Sequence, residues 1–413
     1  MTQEEKFDKR LLIIFMIQFT EVLGFSSVMP LIPLLGINLG LTTFQVGLIL
    51  SIFSLCQLFA SPITGKISDK FGRKPLLLFS QMSTLIGFIL LGLANNVWIL
   101  IAARLVDGLL GSNMTVTQAY ISDVTTHNQR TKTYGYSSAV FGAGLIFGPM
   151  IGGVLLLIFN NNFSAPFFFA AGVCLLSIIL VILFLPESLP EKRSKFNLKF
   201  REIIPIKETK SFFKSAETRG ILIVFFLYSF GFFLFISTFA LFTTEQLNIT
   251  AQQITFYMSW LGILRVLFQS VLITPILKKV SENATLFSGI VALVFTMLFL
   301  IFVSNYWIAF IPISFLAFGT GVTRPILTSK LTKVGKREDV GSLLGVNNAL
   351  NSIAQIITPI LGGAILELFP PQILPLLSAI IFSIIFILWR WSFVKPFQEQ
   401  KEPLIKSKEP IIT

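Results

Sequence analysis

Histidine occurs once in the 413 residues, at His127, and cysteine twice, at Cys56 and Cys174. A single histidine excludes a histidine-rich metal site. Two cysteines inside apolar runs supply no disulfide framework. Acid is scarce too, with 20 Asp and Glu against 32 Lys and Arg, and only 13% of residues are charged. No G-x-x-x-x-G-K-[ST] occurs, so no phosphate-cradling loop is expected and ATP is not an expected partner. No nucleophile and base constellation is visible, so neither an enzyme nor a bound cofactor is expected. What remains is apolar: 54% of the chain is hydrophobic and its mean hydropathy is strongly positive. The apolar residues form runs of about 20, the length that crosses a hydrocarbon core of about 30 Å. The composition therefore predicts an all-α polytopic membrane protein.

A net charge of +12 raises the question of nucleic acid, and its placement answers it. The Lys and Arg fall at the termini and in every second loop, with Arg104, Arg265 and Arg324 inside helices. That is the positive-inside pattern. It predicts both termini in the cytoplasm, with anionic lipid heads rather than nucleic acid as the contact. The charged first ten residues and the full-length first apolar run give no sign of a cleavable signal peptide.

Hydropathy predicts twelve transmembrane spans, near 11–35, 45–65, 75–95, 97–121, 134–158, 166–185, 220–243, 253–275, 284–303, 306–326, 341–365 and 371–392. The expected organisation is a cytoplasmic N-terminus (1–10), a six-helix bundle (11–185), a basic linker (186–219), a second six-helix bundle (220–392) and a cytoplasmic tail (393–413). The linker Pro186–Arg219 holds nine Lys or Arg and five Asp or Glu. Its stretch "FREIIPIKETKSFFKS" suits an amphipathic helix on the membrane surface. A shift of 210 residues pairs Gly111 with Gly321, Gly135 with Gly345, Gly152 with Gly362, Gly153 with Gly363 and Pro149 with Pro359. The blocks "GPMIGG" and "TPILGG" thus repeat, as expected of two parallel, pseudo-symmetric halves.

The stretch Gly65–Pro75, "GKISDKFGRKP", carries five charges and two glycines in eleven residues. Its position between spans 2 and 3 accounts for Lys66, Lys70, Arg73 and Lys74 as topology signals. It leaves Asp69, Gly65 and Gly72 over. A glycine at a helix end permits close helix approach, and an anion suits a helix N-terminus. The pattern G-x-x-x-D-x-x-G-R-K resembles the loop 2–3 signature of the major facilitator superfamily. That resemblance covers about residues 10–392 and implies a major facilitator fold. It also implies that Gly65, Asp69, Gly72 and Arg73 act in a breakable latch between the halves, with the Asp near the start of helix 11. The corresponding loop "PILKKVSEN" lacks the pattern, so the expected latch is one-sided.

In span 5, Gly144, Gly148 and Gly152 recur every fourth residue and Pro149 bends the helix. Such stripes serve helix packing. With Gly153, they also resemble the signature G-x-x-x-G-P-x-x-G-G, which in the superfamily is associated with antiporters, notably drug:proton exporters.

Charges within spans are expensive and by default functional, about 2.5–3.5 kcal/mol each at a helix centre. Span 1 holds Glu21, and span 4 holds Arg104 and Asp107 on one face, continued by Gly108, Gly111, Thr115, Gln118 and Ser122. Arg104 and Asp107 can neutralise one another, which leaves Glu21 unexplained. Burial and a nearby cation act on a carboxyl's proton affinity in opposite senses, so a Glu21 close to Arg104 suits proton coupling. An acidic residue in helix 1 and "RLVDG" in helix 4 resemble the drug-exporter branch. The branch more often has R-x-x-Q-G, and Asp107 departs from it, which leaves open which carboxyl takes the proton.

In the second half, Asn347, Asn351 and Gln355 share a face of span 11 and suit either a cavity lining or polar contacts between helices. Gln18, Gln118, Tyr228, Trp260 and Phe232 are further candidate cavity residues, and Arg265 and Arg324 candidate cavity cations, with Arg324 equally suited to anchor the inner edge of its span. Among 44 Phe, an aromatic residue more often faces lipid. The sequons at Asn162 and Asn248 lie in expected outer loops and matter only in a secretory-pathway host.

The resemblance implies a secondary transporter, monomeric and in the plasma membrane by default. It implies proton-coupled antiport that exports small amphipathic or organic compounds by alternating access. Within transport the alternative is a facilitator or proton symporter for a small metabolite. Outside it stands a non-transporting receptor or scaffold.

Overall fold

In hydrocarbon a backbone amide can bond only to its own chain, so long apolar runs must be helical. A computed structural model describes residues 8–126, 129–189, 206–334 and 339–391. Those residues form helices and no strand. Eleven helices are long and apolar enough to cross a membrane. They are span 1 (Lys9–Asn38), span 2 (Thr43–Phe71), span 3 (Arg73–Gly92), span 4 (Val97–Asp123), span 5 (Lys132–Ile158) and span 6 (Ser164–Phe184). Span 7 (Ala216–Ile236), span 8 (Ala251–Lys279), span 9 (Glu282–Phe302), span 10 (Tyr306–Val334) and span 11 (Val340–Leu368) follow. The apolar helix Ile373–Trp391 supplies span 12. The chain is a multi-pass integral membrane protein. His127, most of the expected linker and the tail after residue 391 lie outside the described residues; of the expected surface helix, Ile206–Phe212 falls within them.

Four of these helices depart from the hydropathy reading. Span 2 does not end at Gly65. It runs through Asp69 to Phe71 and stops only at Gly72, whose φ of +111° is left-handed, and span 3 starts at Arg73. The charged "loop" is thus mostly helix, because Lys and Asp are tolerable at a helix end that leaves the hydrocarbon. Span 1 breaks at Met29–Pro30 and span 4 at Gly111–Ser112. In span 8 a π-helical segment, Leu267–Leu272, follows Val266.

The 210-residue repeat recurs in space. Spans 2 and 8 both begin with a capping box, Thr42 with Gln45 and Thr250 with Gln253. Gly153 of span 5 packs against Thr255 of span 8, and its counterpart Gly363 of span 11 packs against the Thr43 carbonyl of span 2. Gly152 lies against Ser27 at the end of the first helix of span 1, and Gly362 against Thr238 at the end of span 7. Matched small residues make matched close approaches.

The buried apolar residues divide unequally. In the first six spans they form two clusters, one around Val28, Leu91 and Phe167 and one around Leu11, Leu77 and Tyr120. The last six spans share one cluster running from Ile221 to Ile385, which also takes in Leu34 of span 1 and Val46 of span 2. A polar layer separates the first two.

Candidate functional site

That polar layer faces a cavity of about 1120 Å³. Its wall includes Glu21, Phe53, Gln57, Asp107 and Asn113 from the first six spans and Asn348, Ser352 and Gln355 from span 11. Spans 2 and 11 are bound together on one side of it. Thr43 Oγ1 donates to the Gly363 carbonyl at 2.9 Å, Ser51 Oγ to that of Ile356 at 2.6 Å, and the Phe44 amide to Glu367 at 3.0 Å. Towards the other end, Gly135, Gly341 and Gly345 have open space where a Cβ would stand. The helices are closed at the end away from the Gly65–Pro75 stretch and parted at the end that carries it.

Glu21 Oε1 accepts from Gln81 Nε2 at 2.7 Å, and the same nitrogen donates to Ser177 Oγ at 2.8 Å. Asp107 Oδ1 accepts from Thr84 Oγ1 at 2.8 Å, and its Oδ2 lies 3.7 Å from Arg104 Nη2. Gly87 makes room for this carboxylate, since a Cβ there would press on Asp107. The Arg104 guanidinium sits 5.4 Å from the Phe53 ring centre, and its Nε and Nη2 have no hydrogen-bond partner. It is 3% exposed, behind the wall that Asp107 and Glu21 reach. Of the two carboxylates, Asp107 is thus the one that pairs with Arg104, and Glu21 bonds to a neutral amide.

The break in span 4 belongs to this site. Gly111 leaves the helix with ψ of 69°, and its carbonyl accepts from Gln57 Nε2 at 2.5 Å. Irregular backbone at membrane depth survives only inside protein or beside a polar cavity. The break also ends the face expected through Gln118: Gly111 and Thr115 reach the wall, whereas Gln118 is exposed away from it.

The other candidates are similarly divided. Gln355 is on the wall, but span 11 turns Gly345, Asn348 and Ser352 there, not Asn347 and Asn351. Asn347 is buried. Gln18 bonds Ser137 of span 5, with Ser137 Oγ donating to its Oε1 at 2.8 Å. Tyr228 is buried in stacked contact with Phe232, and Trp260 donates to Ser314 Oγ at 2.9 Å. A hydrophobic-face count could not separate Asn347 from Asn348, because a rotation of about 100° per residue decides which one faces the cavity.

At the parted end, Arg73 is 7% exposed. It pairs with Asp69 at 2.6 Å and Asp123 at 2.8 Å, and its Nη1 donates to Ser68 Oγ. Glu187, which follows span 6, accepts from the Arg73 amide at 2.8 Å and the Lys74 amide at 3.2 Å, capping span 3. A side chain on Gly72 would collide with that carboxylate. Gly65 lies beside Thr115 of span 4. The four residues of the stretch thus gather spans 2, 3, 4 and 6. Asp123 and Glu187 are the partners that reading the sequence missed. The available signal was an acid placed at each of the two span ends that a basic loop must face.

The span 5 glycines sort by partner. Gly144 and Gly148 abut Val22 and Ser26 of span 1, and Ser26 Oγ donates to the Gly144 carbonyl at 2.8 Å. Gly153 abuts span 8. Pro149 lies within the continuous helix Arg130–Ile158.

Among the described residues, eleven helices able to cross a membrane, a shorter apolar twelfth, a repeat of matched glycine contacts and a cavity bearing carboxylates define a polytopic carrier-like membrane protein. The family model described as Major Facilitator Superfamily matches residues 14–283 and 221–412. The chain belongs to the major facilitator superfamily. It is 28% identical to the tetracycline resistance protein, class H, of Pasteurella multocida over 359 residues, 86% of this chain and 88% of that protein. It is 28% identical to the quinolone resistance protein NorA of Staphylococcus aureus over 363 residues, 87% of this chain and 90% of that protein. Among solved structures, the human organic anion transporter MFSD10 superposes with a TM-score of 0.67 at 21% identity, covering 92% of this chain and 98% of that one. The nucleoside transporter NupG gives 0.73 at 13% identity, covering 92% and 99%. These two share the fold.

Proposed function

We propose that the protein is a secondary transporter that exports small amphipathic or organic compounds from the cytoplasm in exchange for protons. One observation carries this: two carboxylates of different standing, Glu21 and Asp107, face one cavity. Asp107 has Arg104, a side chain that stays protonated in proteins, as a charge partner at 3.7 Å. Glu21 has only the Gln81 amide. Glu21 therefore takes the proton, and Arg104 and Asp107 set the field around it. The tetracycline and quinolone resistance relatives support export of small compounds.

The cycle follows from the contacts. The cavity opens toward the basic end, which the positive-inside rule assigns to the cytoplasm together with both termini. Substrate enters and Glu21 gives up its proton. The six-span halves, 11–185 and 220–392 joined by the linker 186–219, then rock. This parts Thr43 from Gly363 and Gly153 from Thr255 and brings the Asp69 end against span 11 as the latch. A proton from outside then releases the substrate. One charge moving through 100 mV supplies about 2.3 kcal/mol, roughly fiftyfold accumulation. No nucleotide is needed, the functional unit is a monomer in lipid, and the plasma membrane is its place.

Proteoliposomes with an imposed pH gradient test this. Wild-type protein should drive a tetracycline or quinolone probe against its gradient with stoichiometric proton counterflow. Probe movement only down its own gradient, indifferent to pH, would make the protein a facilitator, and co-directional protons would make it a symporter.

A further inference from the structure

Two cations in the last six spans have no part in the mechanism above. Arg265 stands midway between Ala251 and Lys279 in span 8, and Arg324 lies in span 10 with an exposed side chain. Among the described residues neither guanidinium has a hydrogen bond or an ion pair; Arg265 rests 5.8 Å from the centre of the Phe232 ring. The Arg265 guanidinium and the Tyr228 ring both lie against Phe232. Tyr228 stacks on Phe232 with planes 8° apart. Gly321, one turn before Arg324, packs on the Arg265 carbonyl and Phe268, which turns the Arg324 side of span 10 towards span 8.

Like charges on facing spans repel; Arg265 is partly buried and Arg324 exposed, so the pair, which has no acid among the described residues, leaves an accessible place for an anion. The backbone around them is irregular. A π-helical segment opens two residues after Arg265, and Pro325 follows Arg324 inside its helix. π-segments of this kind cluster at functional sites. The pair lies near the cavity without being part of its wall. Val266, next to Arg265, packs on Gly142, and the neighbouring Phe141 is part of the cavity wall.

We propose that Arg265 and Arg324, with the Tyr228 hydroxyl and the Phe232 ring, form a subsite for the carboxylate of an amphipathic aromatic substrate. The carboxylate accepts charge-assisted hydrogen bonds from the guanidiniums, and the aromatic body lies on the ring face and the Phe141 side of the cavity. The substrate class is thus organic acids and zwitterions rather than simple cations. This rests on the reading of the cavity as a transport site, but not on proton coupling.

Binding to the purified full chain in lipid nanodiscs tests it, using fluorescein, which carries a carboxylate, and rhodamine 123, its cationic ester analogue. Wild-type protein should bind fluorescein the more tightly. Arg265→Gln should weaken fluorescein binding about tenfold, the scale of one charge-assisted hydrogen bond, with rhodamine 123 unchanged, and Arg265→Lys should retain most of the affinity. Arg324→Gln, on another span, should lose about threefold and decides the matter if the Arg265 variant does not fold. Equal or tighter binding of rhodamine 123 to the wild type, or fluorescein affinity indifferent to both glutamine variants, overturns the subsite. Because binding is read at equilibrium, a failure of pH-driven flux strikes the exchange reading alone.

Discussion

The first six spans and the last six are built on the same plan and differ in what interrupts them. In the first, a layer holding Glu21, Gln81, Arg104 and Asp107 cuts the apolar core into two clusters. In the second, the core is continuous, and the polar groups include two arginines without an acid among the described residues. One half has carboxylates that bond neutral donors across three helices, and the other has fixed cations beside aromatic rings. Repeated backbones can therefore carry different chemistry. The matched glycines dictate how closely helices approach, whereas the residues between them determine the charge inside.

The difference can be broken at Glu21 first. Glu21→Gln should reduce pH-driven flux in proteoliposomes to background while leaving equilibrium probe binding in place, because the amide still fits beside Gln81 but cannot exchange a proton. Retained pH dependence would move the carrier role to Asp107. Next in size is Arg73→Ala. It leaves Asp69 and Asp123 without their shared cation, while Glu187 keeps its bond to the residue 73 amide, so thermal unfolding of the purified protein should show a loss of about 3 kcal/mol. Gly148→Val drives a side chain into Ser26 and should cost about 1–3 kcal/mol, read in the same unfolding experiment. Gly345→Val, where the open end leaves space, should be nearly silent there. The smallest contrast is on span 11. Gln355→Ala should raise the apparent KM for a transported probe severalfold, about 1 kcal/mol for one hydrogen bond, and Asn351→Ala should not.

How much was legible follows a physical line. The spans were legible because hydrocarbon imposes one length and one polarity on every crossing helix. The glycine repeat was legible because close approach requires absence of a side chain, and that absence is written in the sequence. Glu21 and Asp107 stood out because charge inside a span is costly enough to need a reason. Their partners did not. Gln81, Thr84 and Asp123 are ordinary residues until folding brings them within 2.8 Å of a charge, and so is Glu187 until it caps span 3. Nor could the cavity face of span 11 be read, since Asn347 and Asn348 differ only in rotation about one axis.

The chain by itself determined what must lie in the membrane, where helices touch and which charges need an explanation, because each follows from transfer free energy or local shape. Only the tertiary structure decided which charge meets which partner: that Arg104 neutralises Asp107 while Glu21 keeps a neutral donor, and that Arg265 and Arg324 stand on packed spans with no acid bonded to either among the described residues. Those pairings depend on distances between helices far apart in the sequence, and electrostatic interaction in a medium of low dielectric is settled by those distances.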